Sequence, residues 1–335
     1  MAARPVLGAY SNPRSFWDQG HRFDACGINA LFAGARLVEE VGERALLEGA
    51  ALYAEFPTFR ADHRLEAYPD LAPVGRDGLP IRPTERFLGA CPTSPRYLFD
   101  LRQSLRRLVR TTPLAGVWLD YLHFHCDFEL PEPPLDPSCF CDRCVRHFEE
   151  WSGLSPRGRT TAERAEWVLR EAGDVWTEWK CEVVAGFAAQ ARRILDEERQ
   201  GAMLGIFSAP WTDDEYGGAM RTILGEDIDR LHAYVDVFSP MVYHVKCGRP
   251  ASWPGEYTRW LVGRVNALNE ARGRSVEVWP IVEAHGAPAH ELEKILNDVL
   301  ASGATGVMFF ALPHAASDPA KLAAVRRVYL AHGGG

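Results

Sequence analysis

Three thiols fall within six residues in Cys139-Phe140-Cys141-Asp142-Arg143-Cys144, nineteen residues after the aspartate that closes the apolar run Gly116-Val117-Trp118-Leu119-Asp120. Thiols at this spacing pack poorly but ligate well, because thiolates bind zinc tetrahedrally and fix a loop that has no core of its own. An aspartate at the end of a buried strand, just ahead of such a loop, stands where a barrel enzyme places its chemistry.

Two further carboxylates close apolar runs, Glu55 in Ala51–Phe56 and Glu283 in Val276–Glu283. A charge at the end of a buried strand is costly unless it is paired or used, and Arg60 and Arg64 are near enough in sequence to pair with Glu55. Aromatic residues accumulate at the same strand ends: Tyr10, Trp17, Phe56, Tyr121, Trp211, Tyr243 and Phe310. Rings of this kind stack on apolar sugar faces, while polar neighbours orient hydroxyls. Histidines cluster there too, as His123, His125, His244, His285 and His314. His-x-His beside an aspartate is also compatible with a catalytic metal site.

These residues need a frame, and the apolar pattern supplies one. Strand-like runs occur at Val6–Tyr10, Ile28–Ala33, Ala51–Phe56, Ala115–Tyr121, Met203–Ser208, Val235–His244, Val276–Glu283 and Gly306–Leu312. Amphipathic stretches separate most of them: 38–48, 95–110, 162–199, 226–231, 251–272, 289–301 and 319–329. Continuous apolar strands alternating with helices indicate an α/β protein with a parallel sheet covered on its outer face. Eight repeats predict a closed (β/α)8 TIM barrel rather than an open sheet, and no Gly-x-Gly-x-x-Gly follows the first run. No linker divides the chain, so residues 1–335 are expected to form a single catalytic domain. Long connections follow the third run, from Pro57 to Thr93, and the fourth, from Leu122 to Ser138. In a barrel both rise from the rim where substrate binds.

Strands four and seven face each other across such a barrel, so Asp120 and Glu283 are the expected catalytic pair. Glu55, Tyr10, Tyr121, His123, Trp211, Tyr243, His244 and His285 are expected to contact substrate. The net charge of −8 argues against nucleic-acid or anionic-membrane partners. No apolar run approaches the ~18 residues of a membrane span. The amino terminus enters the first strand without a secretory h-region, which predicts a cytoplasmic protein. Eight cysteines are too few for a disulfide scaffold in a chain of 335 residues. A homo-oligomer is compatible with all of this.

The cysteine motif, with Phe148 and Trp151 behind it, resembles the zinc loop of the glycoside hydrolase family 42 β-galactosidases and of related glycosidase-like barrels. Cys91-Pro92-Thr93-Ser94-Pro95-Arg96-Tyr97 is similar to the Cys-Pro-x-x-Pro-x-Tyr segment of those proteins. Leu119-Asp120-Tyr121-Leu122-His123-Phe124 and Asp236-Val237-Phe238-Ser239-Pro240-Met241-Val242-Tyr243 resemble their fourth and sixth strands. The likeness implies a structural Zn2+ held by Cys91, Cys139, Cys141 and Cys144, stapling the loop at about 122–153. Cys126, nearer in sequence, is the rival fourth ligand. It further implies a glycoside hydrolase acting on a carbohydrate through a carboxylate pair. The chain departs from the β-galactosidases at the fourth strand, which in them ends in Asn-Glu and here in Asp120-Tyr121. A metal-dependent hydrolase or lyase and a non-catalytic sugar-binding barrel therefore stand as alternatives.

Overall fold

The computed structural model describes residues 4–83 and 87–333; Met1–Ala3, on which the expectation drawn from the amino terminus partly rests, lie outside the described residues. Eight parallel strands close into a barrel: β1 (Val6–Tyr10), β2 (Ala30–Gly34), β3 (Ala51–Pro57), β4 (Gly116–Asp120), β5 (Met203–Ser208), β6 (Val237–Val242), β7 in two pieces (Glu277–Val278 and Ile281–Glu283) and β8 (Gly306–Phe310). Each strand pairs with its sequence neighbour, and β8 returns to β1 through Val6↔Gly306 to Ala9↔Phe309. No edge is left open, and the expected (β/α)8 architecture is the one that forms.

The principal outer helices are α1 (Ala35–Leu47), α2 (Pro95–Thr111), α3 (Asp142–Ser152), α4 (Thr161–Glu171), α5 (Gly173–Glu198), α6 (Trp253–Arg272), α7 (Ala289–Ala301) and α8 (Pro319–Gly333). The stretch over 162–199 reads as one helix but breaks at Ala172, whose φ and ψ of −138° and 21° leave the helical region. A capping box between Thr160 and Glu163 starts α4, satisfying two backbone donors that the helix cannot satisfy itself. Among the described residues no helix is long and apolar enough to cross a membrane.

Side chains alternate in and out along a strand, so inward positions recur every second residue. The lower inward layer is an aromatic plug. Phe32 stacks on Tyr53 at 4.6 Å, Tyr53 meets Trp118 at 4.8 Å, and Trp118 stacks on Trp279 at 5.4 Å. Room for these rings comes from two glycines: a Cβ on Gly8 would lie 2.7 Å from the Phe32 ring, and one on Gly205 would lie 2.1 Å from Trp118. The buried indoles keep partners, Trp118 Nε1 donating to Ser239 Oγ (2.9 Å) and Trp279 Nε1 to Glu277 Oε2 (2.8 Å).

Two residues further along each strand lies the next inward layer. Gly8 leads to Tyr10, Tyr53 to Glu55, Trp118 to Asp120, Gly205 to Phe207, Ser239 to Met241, Trp279 to Ile281 and Met308 to Phe310. All seven of these upper residues line one cavity. The plug is its floor, and the long connections after β3 and β4 build its wall.

Candidate active site

The cavity holds about 610 Å³ at the C-terminal ends of the strands, a size suited to a small organic ligand. To the strand residues the loops add Arg60, Phe87, Tyr121, His123, Cys126, Asp127, Phe128, Glu129, Tyr243 and Lys246. Its lining combines several aromatic faces with a few convergent polar groups. Tyr10 packs edge-on to Phe207 (5.8 Å) and against Phe310 (5.2 Å), which in turn meets Tyr243 at 5.5 Å.

Glu55 and Asp120 stand near the ends of the adjacent strands β3 and β4, close enough for the Glu55 charge to act on the Asp120 carboxyl. The Tyr10 hydroxyl donates to Glu55 Oε2. Asp120 is fixed from its backbone, where Thr58 donates to the carbonyl oxygen through both N–H (2.8 Å) and Oγ1 (2.7 Å). Burial, and after it the charge on Glu55, hold the Asp120 carboxyl well above the usual carboxylate range. Burial and then Glu55 likewise raise the Tyr10 phenol. Two carboxyl groups this close do not both ionise readily, so burial and the neighbouring charge both favour the protonated form of Asp120.

Tyr121, next in sequence, sits in the left-handed region at φ 54°, where bulky residues rarely go. Arg60 donates to its hydroxyl (2.9 Å) with the guanidinium 4.8 Å from the ring centroid. Arg60 also pairs with Asp62, not with Glu55. Opposite, Lys246 Nζ lies 2.8 Å from Glu129 Oε2 and covers the rings of Tyr243 (4.8 Å) and Phe310 (5.4 Å). Four lining carboxyl residues thus stand against two cations, each of which already has a carboxylate partner.

Glu283, the expected partner of Asp120, does not line the cavity. It is 2% exposed, and its Oε1 accepts from the backbone N–H groups of Val245 and Lys246, the latter at 3.2 Å. The reason is layer position: Trp279 is level with Trp118, so Ile281 is level with Asp120 and Glu283 lies one layer higher. Of the remaining expected contacts, Tyr10, Glu55, Tyr121, His123 and Tyr243 do line the cavity. Trp211 is buried behind Phe128 at 6.0 Å, and His244 is buried with Nε2 2.9 Å from Glu291. His285 stands outside against His314, at 4.7 Å between ring centroids. Arg60, Asp127, Glu129 and Lys246 line the site without having been singled out as contacts. Their loop positions carry no periodic signal, though Lys246 follows the aromatic end of β6 by three residues.

His-x-His does not form a metal site with Asp120. His123 Nδ1 bonds the Phe124 carbonyl oxygen (2.7 Å), burial lowers its pKa to about 4, and His125 Nδ1 accepts from Gly89 N–H (3.0 Å). Among the described residues, the one group of three or more candidate ligands close enough to hold a metal is Cys91, Cys139, Cys141 and Cys144. Their sulfurs all lie within 4.8 Å of one another, with Cys91 3.6 Å from Cys141 and 3.7 Å from Cys144. A zinc tetrahedron with 2.3 Å bonds has edges of about 3.8 Å, so the four thiols fit such an ion. Val74 N–H donates to Cys139 Sγ (3.2 Å), and Thr93 Oγ1 is 3.2 Å from Cys144 Sγ, the outer support that metal ligands require. Cys126 is not part of the group; its thiol faces the Pro134 carbonyl oxygen at 3.2 Å.

No family model matches the chain, and no curated protein matches it in sequence. Solved structures do. The glycoside hydrolase domain of PgaB (BpsB) from Bordetella bronchiseptica aligns with a TM-score of 0.71 at 12% identity, over 97% of this chain and 99% of that one. A GH42 β-galactosidase from G. stearothermophilus gives 0.68 at 13% identity, over 99% of this chain but 57% of that one. The α-L-fucosidase isoenzyme 2 from Paenibacillus thiaminolyticus gives 0.61 at 12% identity, over 98% and 49%. The chain spans nearly all of the first protein and about half of the other two. At these identities the likeness is one of fold: the chain is built as the barrel that these glycoside hydrolases share.

Proposed function

We propose that the protein is a glycoside hydrolase whose general acid is Asp120. The observation that carries this reading is the neighbouring carboxyl groups of Glu55 and Asp120, both lining an aromatic-walled cavity at the C-terminal rim, in a barrel similar to those of glycoside hydrolases. Asp120, kept protonated by burial and by Glu55, delivers its proton to the glycosidic oxygen as the bond breaks. Glu55, steadied by Tyr10, stabilises the positive charge that develops on the sugar ring. Retaining and inverting enzymes hold their two acting carboxyl groups ~5–5.5 Å and ~6.5–9.5 Å apart, and Glu55, beside Asp120, is already assigned to charge stabilisation. The group that attacks or activates water is therefore another lining carboxylate. Glu129 is the best placed, since its charge reaches Asp120, Tyr121 and Tyr243. Zinc on the four cysteines acts structurally, because a closed thiolate set leaves no open position for catalysis.

Hydrolysis of a panel of aryl α- and β-glycosides by wild type and Asp120→Asn tests the proposal. Turnover by wild type, reduced on the order of a hundredfold or more in Asp120→Asn, is the expected result. Binding of sugars without turnover by either protein would overturn catalysis in favour of a carbohydrate-binding barrel.

A further inference from the structure

A second cavity of about 920 Å³ lies between the connections after β3 and β4. It adjoins the first. Cys126 lines both, and Phe87 of the first stands beside His125 of the second, their rings 5.2 Å apart. The two differ in chemistry. The first offers aromatic faces and carboxylates. The second is walled by Leu65, Leu79, Ile81 and prolines such as Pro80 and Pro134, with no Phe, Tyr or Trp among its described lining residues. Among the described residues that line it, the charged ones, Arg76, Asp77, Arg82 and Asp136, are all exposed. Apart from the partly buried His125 imidazole, a second sugar would find no ring to stack on and no buried polar side chain for its hydroxyls, whereas a hydrocarbon would cover the apolar lining.

We infer that the second cavity receives the leaving group of the substrate and that this group is apolar: the protein cleaves glycosides of apolar alcohols rather than bare oligosaccharides. The inference rests on the glycosidase reading above. In the step, the bond between the anomeric carbon and the glycosidic oxygen breaks, and that oxygen takes the Asp120 proton and departs as the alcohol. Water then gives its hydroxyl to the anomeric carbon, and its remaining proton restores Asp120.

The test is calorimetric titration of Asp120→Asn with methyl, butyl and octyl glycosides of galactose, glucose, fucose and N-acetylglucosamine. It is repeated after adding Leu79→Glu or, separately, Ile81→Glu. For the sugar that binds, affinity should rise roughly two- to fourfold per methylene, fourfold corresponding to full burial. Both added substitutions should flatten that rise and leave the methyl glycoside unchanged. Leu79 is 63% exposed, so its replacement leaves the core intact. Equal affinity for methyl and octyl glycosides would overturn the apolar leaving-group site while leaving the glycosidase reading standing, as would a chain-length dependence that survives both substitutions. No binding of any glycoside, together with a silent aryl panel, would overturn both.

Discussion

Glu283 holds Lys246 by its backbone: one buried carboxylate oxygen accepts the N–H groups of Val245 and Lys246, and the turn so fixed carries the Lys246 ammonium to Glu129 in the cavity. The carboxylate is turned to the backbone and not to the cavity, and we propose that Glu283 positions Lys246. Glutamine there keeps an oxygen able to accept both N–H groups but gives up the charge that strengthens those bonds. Glu283→Gln should destabilise the fold by about 1–3 kcal/mol and raise KM several-fold while sparing most of kcat. Steady-state kinetics beside thermal unfolding checks this, and a kcat loss as deep as that of Asp120→Asn would return Glu283 to the catalytic role.

The Glu55–Asp120 pair makes a signed prediction about pH. Asp120 works as an acid only while protonated, so kcat should fall as pH rises through its elevated pKa. Burial is the larger cause of that elevation and the Glu55 charge the next. Glu55→Gln removes the second cause and leaves the first, so the basic limb of the profile should move to lower pH without reaching the ordinary carboxylate value near ~4. A pH–kcat profile of both proteins reads it directly. A limb that stays in place would mean that Asp120 and Glu55 do not share a proton.

How much of this was legible in the sequence depends on which physical rule carries each residue. Strands β1 and β5 and helix α7 match their expected bounds, because continuous apolar runs and a 3.6-residue stripe depend on local pattern alone. Asp120 was legible because a carboxylate ends an otherwise apolar strand. That Glu55 rather than Glu283 lines the cavity with it was not, because this requires knowing which residues of different strands share a layer. Trp279 stacking on Trp118 sets that level, and the stacking is a tertiary contact with no trace in spacing. The four-cysteine set was implied by motif resemblance, and Cys126 dropped out on distance, which sequence proximity cannot supply.

The cysteine cluster joins the segment before α2 to the loop before α3, so metal there should stabilise this part of the wall. Purified protein should carry one zinc per chain by elemental analysis. Chelation or Cys139→Ser should lower Tm by several degrees and open the region 122–153 to proteolysis, since structural zinc contributes folding free energy. Cys126→Ser should retain the metal and change Tm little. Loss of zinc from Cys126→Ser, with retention in Cys91→Ser, would reverse the ligand assignment.

Glu226 gives a prediction independent of the cavity. It is 2% exposed, Oε2 accepts from Ala209 N–H (3.2 Å), and Oε1 has no hydrogen-bond partner. Burial pushes its pKa up to about 8, against an unfolded value near ~4.3. Below ~4.3 both states carry the proton. Between there and about 8 the unfolded chain gives it up and the folded chain keeps it, so this group's contribution to stability is lost as pH rises, at roughly 1.4 kcal/mol per pH unit. Glu226→Gln cannot ionise and escapes that loss. Urea unfolding at pH 5 and pH 8.5 should therefore show the variant gaining a few kcal/mol relative to wild type at the higher pH. An advantage that does not change with pH would mean that Glu226 is already ionised in the folded protein, with a partner supplied by water or by a neighbouring cation.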